Sequence, residues 1–160
     1  TSENMVHCSG VAADKNVAKI RVAGLGNDPE STFRLLNLLD RNNLNIDVMI
    51  QSLGKDGTKS VSFTVAKPDM LRTIDVLNDN KDLLGIKKLD YDENVAKISV
   101  IGAGVRSHSG VAAKMFGALA NAGINTEMVT TSEIRITALI DEAYADQAMR
   151  AIHETFLERV

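Results

Sequence analysis

The chain repeats itself, and that constrains its fold more than any other feature. Asn16-Val17-Ala18-Lys19-Ile20 returns as Asn94-Val95-Ala96-Lys97-Ile98. At the same offset Gly24 matches Gly102 and Gly26 matches Gly104. Leu44-Asn45-Ile46 then matches Ile124-Asn125-Thr126, with the copies two residues further apart. One matching pentapeptide can arise by chance. Matching glycines and a matching Asn beside it point to two copies of one structural unit, joined in tandem.

Hydrophobic periodicity gives the elements of each copy. Residues 17–22 alternate Lys19 and Arg21 against Ile20 and Val22, which reads as a half-buried strand. The Gly24-Leu25-Gly26-Asn27 run breaks it. Asp28-Pro29 then opens a helix, Asp as N-cap and Pro in the first turn. Phe33, Leu36 and Leu39 supply its expected apolar face, and Asn42-Asn43 ends it. Residues 46–53 and 60–65 read as strands joined by a turn at Gly54-Lys55-Asp56-Gly57. Pro68 starts a second helix with Met70, Ile74 and Leu77 on one face, and residues 86–91 form a fourth strand. The second copy gives a strand at 95–101, a helix at 109–121, strands at 125–131 and 133–140, and a helix at 141–154.

Each copy is thus a βαββα(β) unit, and the fold class is α+β. The expected architecture is two ferredoxin-like modules, each an antiparallel four-stranded sheet with helices on one face. The second copy runs out before its fourth strand, while the apolar stretch at 5–12 has no place in the first copy. The economical reading inserts one module in the other. The first module takes 15–92, and the second takes 1–14 with 93–160, residues 5–12 supplying its fourth strand. The far sheet face carries mixed residues such as Thr64, Arg135 and Thr137. Covering that face and the open edges calls for packing of the modules and a homodimer.

Charge and composition exclude some classes. The net charge is -3, and Lys and Arg are scattered, so no basic footprint for nucleic acid exists. There is no Trp, and aromatic residues make up 4%, so base stacking lacks a platform. Cys8 is the single cysteine, which fits a reducing, cytoplasmic setting. No apolar run is long enough for a membrane span, and residues 1–4 are too polar to open a signal peptide. The missing initiator Met suggests a trimmed piece of a longer protein.

No catalytic residue is expected. There is no CxxC, HExxH or GxSxG motif. His7, His108 and His153 fall in different elements, so no metal site is expected. The two glycine loops lack the third Gly of a dinucleotide fingerprint and the Lys of a P-loop. They do deliver helix N-termini, whose free N–H groups attract anions, a carboxylate included. Polar side chains flank them: Asn27, Asp28 and Glu30 in one copy, Arg106, Ser107, His108 and Ser109 in the other. The strand that follows opens with Asn45 and Asp47, or Asn125 and Glu127. Such a pairing suits a zwitterion, with the N–H groups on its carboxylate and an acid on its ammonium. The competing reading takes the same residues as caps and turns.

Several runs resemble the C-terminal regulatory region of aspartate kinases. They are Ser9-Gly10-Val11-Ala12, Asn45-Ile46-Asp47-Val48-Met49-Ile50-Gln51, Val100-Ile101-Gly102-Ala103-Gly104-Val105, and Thr130-Thr131-Ser132-Glu133-Ile134-Arg135-Ile136 after Gly123-Ile124-Asn125. The resemblance runs in order over nearly the whole chain. It implies a pair of ACT domains that sense lysine, threonine or both and feedback-inhibit aspartate phosphorylation. The implied partners are the kinase catalytic domain or alpha subunit, a second copy of the chain and a small amino acid. No cofactor, nucleic acid or membrane is implied. One implied effector pocket uses Asn27, Asp28, Pro29, Glu30 and Gln51 with Asn125 and Thr126. The other uses Val105, Arg106, Ser107, His108 and Ser109 with Glu127, Ser132 and Glu133. Where many relatives have Asp-x-Pro-Gly, this chain has Asn27-Asp28-Pro29-Glu30, and Thr126 replaces an aliphatic residue. The family's Lys-Phe-Gly-Gly motif and kinase domain are missing from the sequence, so the chain alone is not expected to phosphorylate aspartate.

Three alternatives remain at this level. One is an effector-independent dimerisation module. Another is a small hydrolase of the acylphosphatase kind, for which Arg106 and Asn125 are a poor match. The last is RNA binding on the open sheet.

Overall fold

The structure, a computed structural model, describes residues 10–102 and 108–157. Its first half holds β1 (Gly10–Leu25), α1 (Pro29–Arg41), β2 (Met49–Leu53), β3 (Lys59–Ala66), a 3-10 turn (Lys67–Asp69), α2 (Met70–Asp79) and α3 (Lys81–Leu84). Its second half holds β4 (Lys88–Ile101), α4 (His108–Asn121), β5 (Met128–Thr131), β6 (Arg135–Asp141), a 3-10 turn (Glu142–Tyr144) and α5 (Ala145–Leu157). The chain divides into two compact units, Asn16–Glu93 and Thr1–Lys15 with Asn94–Val160. The first of these is called the first unit below. Residues 5–9 of the expected closing strand lie outside the described residues, and Gly10, Val11 and Ala12 belong to β1.

In the first unit the strand order is β2-β3-β1-β4, and in the second β1-β4-β6-β5. The resolved pairings are antiparallel: β1 with β3, β2 with β3, β4 with β6 and β5 with β6. Both units are therefore ferredoxin-like. The unit boundary falls inside β1 and inside β4. Separate strands were expected at 17–22, 86–91 and 95–101, but β1 and β4 run unbroken. The intervening residues, Asp14 to Asn16 and Asp92 to Asn94, are polar without being breakers. No Gly or Pro forces a turn there, and an extended backbone tolerates polar side chains in water.

Alternation decides what each strand buries. In the first unit Ile20, Val22, Val61, Phe63 and Val65 meet Leu35 and Leu39 of α1 and Met70 and Leu77 of α2. In the second, Ile98, Val100, Ile136, Ala138 and Ile140 meet Met115 and Leu119 of α4 and Ala145, Ala148 and Ile152 of α5. The helices of each unit thus lie on one sheet face. The predicted face of α1 needs correcting: Phe33 is 65% exposed, and the buried positions are Ser31, Leu35 and Leu39. A four-residue step keeps these three on one stripe, and Phe33 falls outside it.

The opposite sheet face is mixed, as expected, and part of it is buried. Val17, Val48, Val95, Met128 and Leu139 are buried outside both helix-side clusters. Of the mixed residues named on that face, Thr64 and Thr137 are buried too, whereas Arg135 is exposed. Each buried hydroxyl has a partner. Thr64 Oγ1 accepts from the Val48 N–H at 3.0 Å, and Thr137 Oγ1 lies 2.9 Å from Ser99 Oγ. A buried hydroxyl without such a partner would be costly. The Thr64–Val48 bond also explains why β2 begins at Met49 rather than at residue 46, since a side chain takes a place in the ladder.

Candidate functional site

The first helix start is built by its own cap. Asp28 is extended (φ -140, ψ 159), and Pro29 follows it in the first turn. The Asp28 carboxylate accepts from the Ser31 N–H at 2.9 Å and from Ser31 Oγ at 3.1 Å. These bonds, that from the Ser31 backbone foremost, hold the Asp28 carboxyl below its ordinary pKa of 3.8. Gly26 is required for the same reason. A Cβ built on it would sit 2.6 Å from the Asp28 carboxylate, so any side chain would push into the cap. This glycine serves close packing rather than a phosphate.

Two further elements reach this helix start. Thr32 Oγ1 of α1 donates to Gln51 Oε1 of β2 at 2.6 Å. Lys59, at the head of β3, places its ammonium 2.8 Å from the Asp28 carbonyl and 3.4 Å from Thr32 Oγ1. Of the predicted residues, Asp28 and Gln51 are thus joined through Thr32 and Lys59, with Pro29 and Glu30 in the same first turn. Asn27, Pro29, Glu30 and Gln51 are exposed, and Asp28 is half-buried.

Sequence reading missed Lys59, although a signal for it was present. Lys59 shares the parity of Val61, Phe63 and Val65, whose side chains enter the core. A Lys in that register has to find acceptors, and the structure leaves it only 9% exposed. Lys59 also lines a groove of about 260 Å³ with Arg21, Gly54, Asp56, Thr58 and Lys87. There the Thr58 hydroxyl at 2.7 Å and the Thr58 N–H at 3.0 Å hold the Asp56 carboxyl below its ordinary value.

In the second unit, Val105, Arg106 and Ser107, and the side chains of His108 and Ser109, lie outside the described residues. Asn125 and Thr126 line a cavity of about 380 Å³ with Phe116, Leu119, Ala120, Gly123 and Ile124. The Glu127 N–H donates to the Leu139 carbonyl at 2.8 Å, which aligns the entry to β5. Ser132 N–H donates to the Arg135 carbonyl at 2.7 Å, closing the β5–β6 turn that carries Glu133. Ser132 and Glu133 are exposed. Among the described residues no group of His, Cys, Asp and Glu could hold a metal ion. No described helix is long and apolar enough to cross a membrane.

A duplicated ferredoxin-like unit with polar residues at its helix starts defines a class, and the comparisons give the same one. Residues 98–156 match the family model described as ACT domain. A solved structure of aspartokinase alpha and beta subunits superposes with a TM-score of 0.87 at 41% identity, covering 94% of this chain and 99% of that one. The ligand-free regulatory subunit of aspartate kinase from Thermus thermophilus gives 0.87 at 32% identity, with the same coverage. The aspartokinase of Pseudomonas aeruginosa is 36% identical over 148 residues. That match takes in 92% of this chain and 36% of that protein, so the chain spans about a third of its length. The chain belongs to the regulatory ACT-domain family of the aspartokinases.

Proposed function

We propose that this chain is the amino-acid-sensing regulatory part of an aspartokinase, with one module (15–92) inserted in the other (1–14 with 93–160, residues 5–12 as its closing strand). An effector, lysine, threonine or both, binds at the helix starts. It shifts a kinase catalytic domain or alpha subunit toward an inhibited state in the cytoplasm. The observation that carries this reading is the join at the first helix start, where α1 and the edge strand β2 meet through Thr32 and Gln51. A small solute held there bears on the angle between helix and strand. The residues assigned to the first pocket are Asn27, Asp28, Pro29, Glu30 and Gln51 with Asn125 and Thr126. Those of the second are residues 105–109 with Glu127, Ser132 and Glu133. The effector can move the kinase equilibrium only through its different affinity for the two states. Couplings of this kind amount to about 1–3 kcal/mol.

The test is titration calorimetry of the folded chain with lysine and with threonine. Saturable heat from at least one is expected, and silence from both at millimolar concentration removes the sensing role. One observation favours the second reading, a dimerisation module that binds no effector. β2 ends the strand order of the first unit and β5 that of the second, each with an edge unpaired among the described strands. Such edges suit pairing with another copy. Dimerisation unchanged by either amino acid, together with an empty titration, favours that reading.

A further inference from the structure

The first helix start already holds an ammonium of its own. Lys59 donates to the Asp28 carbonyl, and Thr32 donates to Gln51. Two acceptors that a bound ammonium would use are thereby engaged by the protein. The Asp28 carboxylate is engaged as well, on the Ser31 N–H and hydroxyl. Glu30 and Arg34 stand close enough to act on that carboxylate. The formal charges around the helix start therefore balance, Asp28 and Glu30 against Lys59 and Arg34. Without Lys59 the site carries one net negative charge and a free carbonyl, a setting that attracts a cation.

We propose that Lys59 is a tethered ammonium that sets the side-chain preference of the first helix start, admitting an amino acid with a neutral side chain and turning away one with a second cationic group. The inference rests on the reading of this helix start as an amino-acid site. Like charges a few ångströms apart in a half-buried setting repel strongly enough to change affinity by about tenfold or more. The register of β3 makes this a fixed feature. Lys59 sits on the core-facing parity of its strand and is buried, so its ammonium has few places to go except the acceptors of the α1 start.

The test follows the backbone amides of Ser31, Thr32 and Gln51 by NMR while the intact chain is titrated with lysine or with threonine. These amides lie at the α1 start and on the strand joined to it through Thr32 and Gln51. Wild type is expected to take threonine more tightly than lysine at this site. Lys59→Gln, which keeps a donor for the Asp28 carbonyl without the charge, is expected to tighten lysine by about tenfold while moving threonine by less than about threefold. Lys59→Arg keeps the wild-type preference. Added salt should narrow that preference in wild type, which tests the charge even if Lys59→Gln does not fold. Equal affinity for the two amino acids in wild type overturns the inference, as does a salt-insensitive preference or a Lys59→Gln that weakens both equally. In those cases the site remains an amino-acid site. If neither amino acid moves the amides and calorimetry is silent, the site reading falls and the inference falls with it.

Discussion

The two copies end their first helix alike, and their sequences differ where that helix begins. At the end, Asn43 (φ 56) and Gly123 (φ 73) take the same left-handed turn. The Asn43 N–H reaches the Asp40 carbonyl and the Gly123 N–H the Ala120 carbonyl, both at 3.0 Å. The next N–H groups, of Leu44 and Ile124, reach Leu39 and Leu119, both at 2.9 Å. At the start, the first copy reads Asn27-Asp28-Pro29-Glu30-Ser31, with Ser31 buried and bonded to Asp28, whereas the second reads Ser107-His108-Ser109-Gly110-Val111, with Val111 buried. The fold dictates how the helix must stop to feed the next strand. It leaves the start free to diverge, and a binding function would be written into that free part.

The largest expected effect tests the two cores. Phe63 is fully buried opposite Ile20, and the matching pair in the second unit is Ile98 with Ala138. Phe63→Ala should cost about 3–5 kcal/mol in chemical denaturation. Ala138→Phe should cost about 1–3 kcal/mol by overpacking rather than stabilise the second unit. A stabilised Ala138→Phe would mean that the second core has room that the structure does not show.

The helix ends come next. Gly123→Ala forces a Cβ into the left-handed region and should cost about 1–2 kcal/mol, whereas Asn43→Gly should be close to neutral. Equal responses at the two positions would break the claim of one shared turn.

A smaller effect comes from acid. Asp28 and Asp56 have carboxyls held below 3.8 in the folded chain, so the unfolded chain binds more protons as pH falls through that value. Their stabilisation is complete at neutral pH and is lost toward lower pH. The melting temperature of Asp28→Asn should therefore start lower than wild type at neutral pH, with the gap closing as pH falls below the ordinary carboxyl value of 3.8. A gap that widens on acidification would contradict the cap described for α1.

The smallest effect belongs to Phe33. Its ring is exposed, so Phe33→Ser should change stability by no more than about 0.5 kcal/mol. A larger loss would restore the apolar face that periodicity first suggested.

Much of this architecture was legible in the sequence, for identifiable reasons. The duplicated Asn-Val-Ala-Lys-Ile run marks equivalent strands, and the Asp28-Pro29 pair marks a helix start that the Ser31 bonds then explain. Phe33 was misread because an i, i+3 step was followed where the buried stripe runs i, i+4. The joins within β1 and β4 were missed because a polar run such as Asp92-Glu93-Asn94 looks like a loop when no pairing partner is known. At the site, the cap residues could be read locally. Lys59 lies far from them in sequence, and only the register of β3 brings it to Asp28. The alternation of Lys59 with Val61, Phe63 and Val65 held that clue, but naming the acceptor required knowledge of which helix crosses that end of the sheet.

Amide hydrogen exchange on the intact chain, with and without lysine and threonine, bears most directly on the claim that the helix starts receive a small amino acid. Slower exchange is expected over the first turn of α1, at Gln51, and across 125–133, with the far ends of α2 and α5 unchanged. Exchange that stays the same in all of those segments under saturating amino acid would contradict it.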